Sequence, residues 1–529
     1  MSEVRVDPAK SAFTFPTSWS VLNVFVFGAI LALLCVSTAL PADNLSRIID
    51  CSGEDRVSML GPAWQSGSMQ PWSPDQALTA PPIGWGVGKI GADSVWAAGV
   101  RGAGVVVAIL DTGTRYTHVD LADHLWTNID EIPNNGIDDD SNGYIDDYIG
   151  YDFANDDGDP MDDNGHGTFI AGVVLGDGTA GFSTGVAPDA ELMSLKVCDP
   201  QWGCSPSWVL LATQYAADNG ADIICLAFGW GDGPGRLRDL FRYLCEAATG
   251  SGLVMIAMGG SGGGYIPYGV PLPASVPPPW LHPDQTLRGE PAGVIAVAPT
   301  DSSDFYRGEQ IGPTEWHDFP YVPGSFDSIG LIKPDLSAPG DNIASLDYHS
   351  DKGYVGGLYG STMACPHVAG AAALLRSACL SFTPAEIDSF LEMTAVDLGE
   401  PGKDNFYGAG RVDVWAAYQY CVPGIQEETR HDTHGRLVEA ARLECSPNPS
   451  FGPIAISYAI ETQNHMTIQI FDLAGRIRQE ILITDRSSGQ GTIHWDGRDS
   501  ADRKLPSGIY FVRLLAGSQT ISEKITLMN

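Results

Sequence analysis

One carboxylate, one imidazole and one pair of hydroxyls, set in short segments far apart in the chain, constrain this sequence more than anything else in it. Val105-Val106-Val107-Ala108-Ile109-Leu110 is a β-branched apolar run that reads as a buried strand, and it ends in Asp111-Thr112-Gly113. Asn164-Gly165-His166-Gly167-Thr168 comes next, with Ala171-Gly172-Val173 continuing as a helix. Far downstream, Gly360-Ser361-Thr362-Met363-Ala364-Cys365-Pro366-His367 sets two hydroxyls side by side. A hydroxyl is a poor nucleophile until a histidine takes its proton, and a buried carboxylate fixes that imidazole's tautomer and stabilises the imidazolium. Asp111 at a strand end and His166 at a helix start suit those roles.

These segments resemble those of the subtilisin-like serine peptidases. Asp111-Thr112-Gly113 with His118-Val119-Asp120-Leu121 looks like that family's aspartate segment, and Asn164 to Thr168 like its histidine segment. Gly185-Val186-Ala187-Pro188-Asp189-Ala190, followed by Leu192 to Val197, matches its next strand. The order Asp, His, nucleophile over about 250 residues is the subtilisin order. The resemblance implies an α/β fold, a parallel sheet flanked by helices, and hydrolysis of peptide bonds by Asp111, His166 and a hydroxyl. It also implies that His118 and His367 are packing residues.

Three departures fall inside the expected site. The family places serine directly before the methionine; here that position holds Thr362, with Ser361 one residue early. The extra methyl of threonine restricts χ1 and crowds either the histidine or the incoming carbonyl. The family's oxyanion-donating asparagine falls on Ser261, or on Gly260 in a register one residue shorter. Losing that donor costs roughly 10²–10³ in rate, a figure from a member of the same family. The strand edge that pairs with substrate backbone in the family, Ser-x-Gly, is here Ala227-Phe228-Gly229. Two function classes follow: a serine-type endopeptidase working slowly through Thr362, or through Ser361 if the turn shifts register, and a pseudopeptidase that binds peptide at the cell surface without cutting it.

Composition sets limits on partners and compartment. The chain has 529 residues and a net charge of −36, from 65 acidic and 29 basic residues, which argues against a nucleic-acid partner and suits cation binding. Val21 to Leu40 is predominantly apolar, and small residues precede a cleavage point after Ala39; it reads as a signal peptide, or as a retained membrane anchor. Both readings place the bulk of the chain outside the cytoplasm. There, Cys198–Cys204 and Cys379–Cys421 are candidate disulfides, while Cys225 and Cys365 fall in core segments as buried thiols. The proline-rich stretch from Pro267 to Pro283 reads as a surface loop.

Between the aspartate and histidine segments lies Asp138-Asp139-Asp140-Ser141-Asn142-Gly143-Tyr144-Ile145-Asp146-Asp147. It matches the start of an EF-hand loop, with oxygen ligands expected from Asp138, Asp140 and Asn142 and a turn at Gly143. Position 12 is Ile149, so Asp146 or Asp147 has to replace the bidentate glutamate, and calcium is the expected ion.

After Cys421 the composition changes. Residues 441–529 carry short alternating runs such as Thr467 to Ile470, and resemble the immunoglobulin-like β-sandwiches appended to secreted bacterial proteins, including type IX sorting domains. The expected organisation is an export segment at 1–42, a short pro or linker segment at 43–83, a peptidase domain at 84–421, a linker at 422–440 and an all-β domain at 441–529. The implied partners are a protein or peptide substrate, and a membrane or secretion machinery met through the N-terminal segment or the C-terminal domain.

Overall fold

The computed structural model describes residues 70–72, residues 83–421 except 200–202, 232–234, 261–265, 268, 279–284, 290, 308–309, 317–318 and 320–329, and residues 442–527 except 447–449, 451, 460–465, 473–476, 484–489, 501–502, 506–507 and 517–518. The export segment, the 422–440 linker and Ser261 lie outside the described residues. The chain divides into two compact units, one through Cys421 and one from Val422.

Among the described residues, seven parallel strands form the main sheet of the first unit: β1 Val106–Asp111, β2 Gly150–Asp152, β3 Glu191–Lys196, β4 Ile223–Leu226, β5 Val254–Met258, β6 Val294–Thr300 and β7 Leu336–Pro339. Their order across the sheet is β7-β6-β5-β4-β1-β3-β2. β4, β5 and β6 are buried along their whole length, as strands covered on both faces must be. The chain leaves β1 to build β2 and β3 on one side, then returns to build β4 to β7 on the other. Ligands of open parallel sheets bind outside the carboxyl ends of the strands at such a reversal. β1 ends there, at Asp111.

Eight helices among the described residues accompany the sheet: α1 Trp85–Lys89, α2 Ala92–Ala97, α3 His166–Leu175, α4 Pro206–Asp218, α5 Gly235–Gly250, α6 Ser361–Ala378, α7 Pro384–Thr394 and α8 Val414–Cys421. α3 is buried on every side and α6 from Ser361 to Leu375, which their small and apolar residues permit; the two pack together. α7 starts on a capping box: Thr383 Oγ1 accepts the Glu386 N–H at 3.2 Å, and Glu386 Oε2 accepts the Thr383 N–H at 2.9 Å.

Two expectations need correction. The proline-rich stretch is not a surface loop where it is described, since Val270 to Pro278 is buried. Its backbone exchanges hydrogen bonds with Trp230 through Leu272, and the Ser275 carbonyl accepts the Trp316 indole N–H at 2.8 Å. The Cys379–Cys421 bridge is not formed, because Cys379 turns its sulfur back to Ser381 Oγ, 3.2 Å away. The Cys198–Cys204 disulfide is present, across a two-residue antiparallel pairing. Cys225 and Cys365 are buried thiols with sulfurs 3.8 Å apart.

The second unit holds two antiparallel sheets. Arg442–Ser446, Ile454–Ala459 and Gln490–Trp495 form one; Ile477–Ile483, Met466–Asp472, Gly508–Ala516 and Gln519–Leu527 form the other. Ile454, Ile456, Ile468, Ile470, Val512 and Leu514 fill one shared apolar core. No helix among the described residues is long and apolar enough to cross a membrane.

Candidate active site

Asp111 closes β1, His166 opens α3, and the two side chains meet: His166 Nδ1 lies 2.7 Å from Asp111 Oδ1. They are 6% and 1% exposed. Gly167 makes this approach possible, because a Cβ there would sit 2.1 Å from the Gly113 carbonyl oxygen. Asp111 Oδ1 also accepts the Thr112 N–H at 2.8 Å, which holds the carboxylate against the ring. Burial pulls the His166 pKa down, but the Asp111 charge and hydrogen bond, helped by the Asp162 charge, raise it above the ordinary imidazole value on balance. With Nδ1 committed to the carboxylate, Nε2 is the nitrogen that can take a proton from a nucleophile.

The hydroxyls come in on α6. Gly360 adopts φ +131°, a conformation open to glycine, and turns the chain from the strand Tyr354–Leu358 into the helix. Ser361 is fully buried. Its Oγ accepts the Gly260 N–H at 3.2 Å and lies 3.4 Å from the Met258 sulfur. Thr362, next along, keeps 4% exposure. Pro366 has no N–H to offer the Thr362 carbonyl, so the helix ladder is interrupted directly beneath that residue. His367 is a packing residue: its Nδ1 lies 2.8 Å from the Met363 carbonyl, and its ring fills the space where a side chain on Gly86 would be. Burial holds its pKa down at about 4. His118 is likewise satisfied, by the Gly353 carbonyl and the Asp120 N–H.

Ala227, Phe228 and Gly229 continue the chain from the end of β4. Ala227 and Phe228 are buried, and the Phe228 ring stands edge-on to Trp230 at 5.3 Å. A Cβ on Gly229 would lie 2.7 Å from the Leu272 carbonyl oxygen, so this edge is pressed against the 270–278 segment.

Residues 102–410, more than half of the chain, match the model of the subtilase family. The chain belongs to the subtilase family. Subtilisin DY of Bacillus licheniformis is 30% identical over 341 residues, 64% of this chain and 99% of that protein. Thermitase of Thermoactinomyces vulgaris is 30% identical over 341 residues, 64% of this chain and 96% of that protein. Subtilisin Savinase of Lederbergia lenta is 30% identical over the same length, 63% of this chain and 98% of that protein. Residues 445–528 of this subtilase match a second model, the secretion system C-terminal sorting domain. The subtilase is therefore an extracellular or cell-surface protein.

The carboxylates of the acidic loop of this subtilase bond its own backbone. Asp138 accepts the N–H groups of Asn142 and Gly143, each at 3.0 Å, and Asp146 accepts those of Asn135 at 2.8 Å and Gly136 at 3.0 Å. These two carboxylates shape the loop. Asn142 directs its amide N–H to Asp140 at 3.0 Å and Asp147 at 2.9 Å. Among the described residues, Glu131, Asp140 and Asp147 lie close enough to share a cation, with one oxygen of each within 4.8 Å of the others. Glu131 and Asp147 are 4% and 0% exposed, and burial raises the pKa of both. The charges that act on them are those of other carboxylates, which raise them further. Glu131 Oε1 accepts the Asp139 and Asp140 N–H groups, while its Oε2 is buried with no hydrogen-bond partner among the described residues. Sequence reading missed Glu131 because the EF-hand template seeks its glutamate downstream, at position 12; here it enters from upstream.

Proposed function

We propose that this subtilase is an exported endopeptidase that hydrolyses peptide bonds in protein substrates, with Asp111, His166 and Thr362 as its working groups. The observation that carries the reading is the 2.7 Å contact between His166 Nδ1 and Asp111 Oδ1 at the carboxyl end of β1. His166 Nε2 takes the Thr362 hydroxyl proton as Oγ1 bonds to the scissile carbonyl carbon. That proton passes to the amine as the C–N bond breaks. Water, deprotonated by the same imidazole, then cleaves the threonyl ester and returns a proton to Thr362. The N–H groups at the start of α6 serve the developing oxyanion, and Ser261, by its place in the sequence, is assigned as the side-chain donor. Thr362 carries a methyl that serine lacks, so turnover is below that of a serine enzyme.

Thr362 and the secluded Ser361 favour a second reading, a pseudopeptidase whose cleft holds peptide without cutting it. A fluorophosphonate probe followed by peptide mapping separates the two. An adduct on Thr362, absent in His166→Ala, supports the endopeptidase; an adduct on Ser361 supports a shifted turn; no adduct beside a labelled serine subtilase supports the pseudopeptidase.

Calcium fits the acidic loop on the chemistry of its donors. Glu131, Asp140 and Asp147 are hard oxygen ligands, and an ion there gives the stranded Glu131 Oε2 a partner and neutralises carboxylates that otherwise repel one another. Asp138 and Asp146 spend their oxygens on the backbone that shapes the loop. Around this centre we assign an export segment at 1–42, a short segment at 43–83, the peptidase domain at 84–421, a linker at 422–440 and a sorting domain at 441–529 that meets the secretion machinery.

A further inference from the structure

Asp162 is a 6% exposed carboxylate that accepts five hydrogen bonds. Its Oδ1 takes the Thr112 hydroxyl at 2.9 Å, the Asn164 N–H at 2.9 Å and the Gly165 N–H at 2.8 Å. Its Oδ2 takes the Thr168 N–H at 2.9 Å and the Thr168 hydroxyl. Each hydroxyl is itself a bridge: Thr112 Oγ1 accepts the Gly167 N–H, and Thr168 Oγ1 accepts the Arg115 N–H, both at 2.9 Å. One carboxylate thus joins the turn that follows Asp111, through Thr112 and Arg115, to the first turn of α3, through Gly165, Gly167 and Thr168. Both segments that hold the His166–Asp111 pair are tied to it.

We propose that Asp162 is the positioning residue of this site, its ionised carboxylate fixing the aspartate turn to the first turn of α3 and so setting where His166 presents Nε2. The inference rests on His166 being the base of the proposed peptidase. An anion is also favoured where it stands, beside the N–H groups that open a helix and have no partner within it. Burial raises the Asp162 pKa and the hydrogen bonds pull it back; its charge in turn helps to raise that of His166. The titratable groups around Asp162 and His166 include Asp111, with Cys225 near it, Asp163 with its partner Lys196, and Tyr348.

Three variants test this: Asp162→Asn, Thr168→Val and the conservative Thr168→Ser. Two readouts are followed, titration of the His166 ring by NMR and steady-state cleavage of a peptide substrate. Asp162→Asn should titrate His166 at lower pH than wild type and lose about 10²-fold in kcat with KM little changed, the cost of a misplaced catalytic group. Thr168→Val should fall in kcat in the same direction, and Thr168→Ser should recover wild-type values. If Asp162→Asn does not fold, the Thr168 pair decides, since it removes only one arm of the clamp. Unaltered His166 titration, with kcat falling only as far as the folded fraction does, overturns the proposal. If wild type cuts nothing, the peptidase reading fails, while the His166 titration still tests the clamp.

Discussion

The Ser361 hydroxyl accepts the Gly260 N–H at 3.2 Å, joining the first residue of α6 to the turn that follows β5. The serine that sits one place early is therefore a structural link. Ser361→Ala should leave that buried N–H unpaired and cost about 1–3 kcal/mol of stability, with modest loss of activity. Thr362→Ala should keep its stability and lose activity; in subtilisin itself, loss of the nucleophile costs about 10⁶-fold in turnover. Urea melts and rate measurements on both variants check the split. Equal losses of activity would remove the distinction between the two hydroxyls.

Thr362→Ser should raise peptidase activity, and Ser261→Asn should raise it further in the same protein. The first supplies an unhindered hydroxyl at the proposed nucleophile position; the second supplies a longer oxyanion donor, worth roughly 10²–10³ in subtilisin. Because both act in one transition state, their effects should couple and not simply multiply. Cleavage of casein by wild type, both single variants and the double variant gives the cycle. A wild type as fast as the double variant would mean that the site is not impaired.

Chelating calcium should lower the melting temperature. At a hundred times Kd, an ion bound only to the folded chain stabilises by about 2.7 kcal/mol. Glu131→Gln should blunt the response more than Asp138→Asn, since the Glu131 oxygen lies in the shared cluster and the Asp138 oxygens accept backbone N–H groups. The reverse ranking would return the site to EF-hand ligation.

His367 should make stability depend on pH in a fixed direction. Its pKa is lowered by burial from 6.5 to about 4 in the folded chain. The unfolded chain therefore gains a proton that the folded chain refuses, and the contribution of this residue, complete above pH 6.5, is lost as pH falls towards 4. The whole effect is about 3 kcal/mol. Urea unfolding at pH 7 and pH 4.5 should show a larger loss for wild type than for His367→Gln. Equal losses would assign the acid sensitivity to other groups.

The meeting of Asp111 and His166 in the candidate site was legible in the sequence because each stands in a contiguous segment. A β-branched run ending in Asp111 and a glycine-flanked His166 announce a strand end and a helix start. What the sequence could not convey depends on encounters between distant segments. Ser361 finds its partner on Gly260, 101 residues away in the chain, and Glu131 reaches the acidic cluster against the direction of the EF-hand template. The proline-rich stretch misled for the same reason: composition suggested exposure, while Trp230 and Trp316 supply backbone and indole partners that allow Val270 to Pro278 to be buried.

The reversal of strand order at β1 also governs how fast such a chain becomes itself. β1 must find β4, and the Val106 N–H meets the Asp222 carboxylate across 116 residues of intervening chain. Closing loops of that length before any contact rewards them makes folding slow, and leaves unpaired strand edges exposed in the meantime. An excess of 65 acidic over 29 basic residues keeps such chains apart by mutual repulsion while they search. The Asp111–His166 contact is made between the end of β1 and the start of α3, so the candidate site exists only where this sheet and its helix have come together.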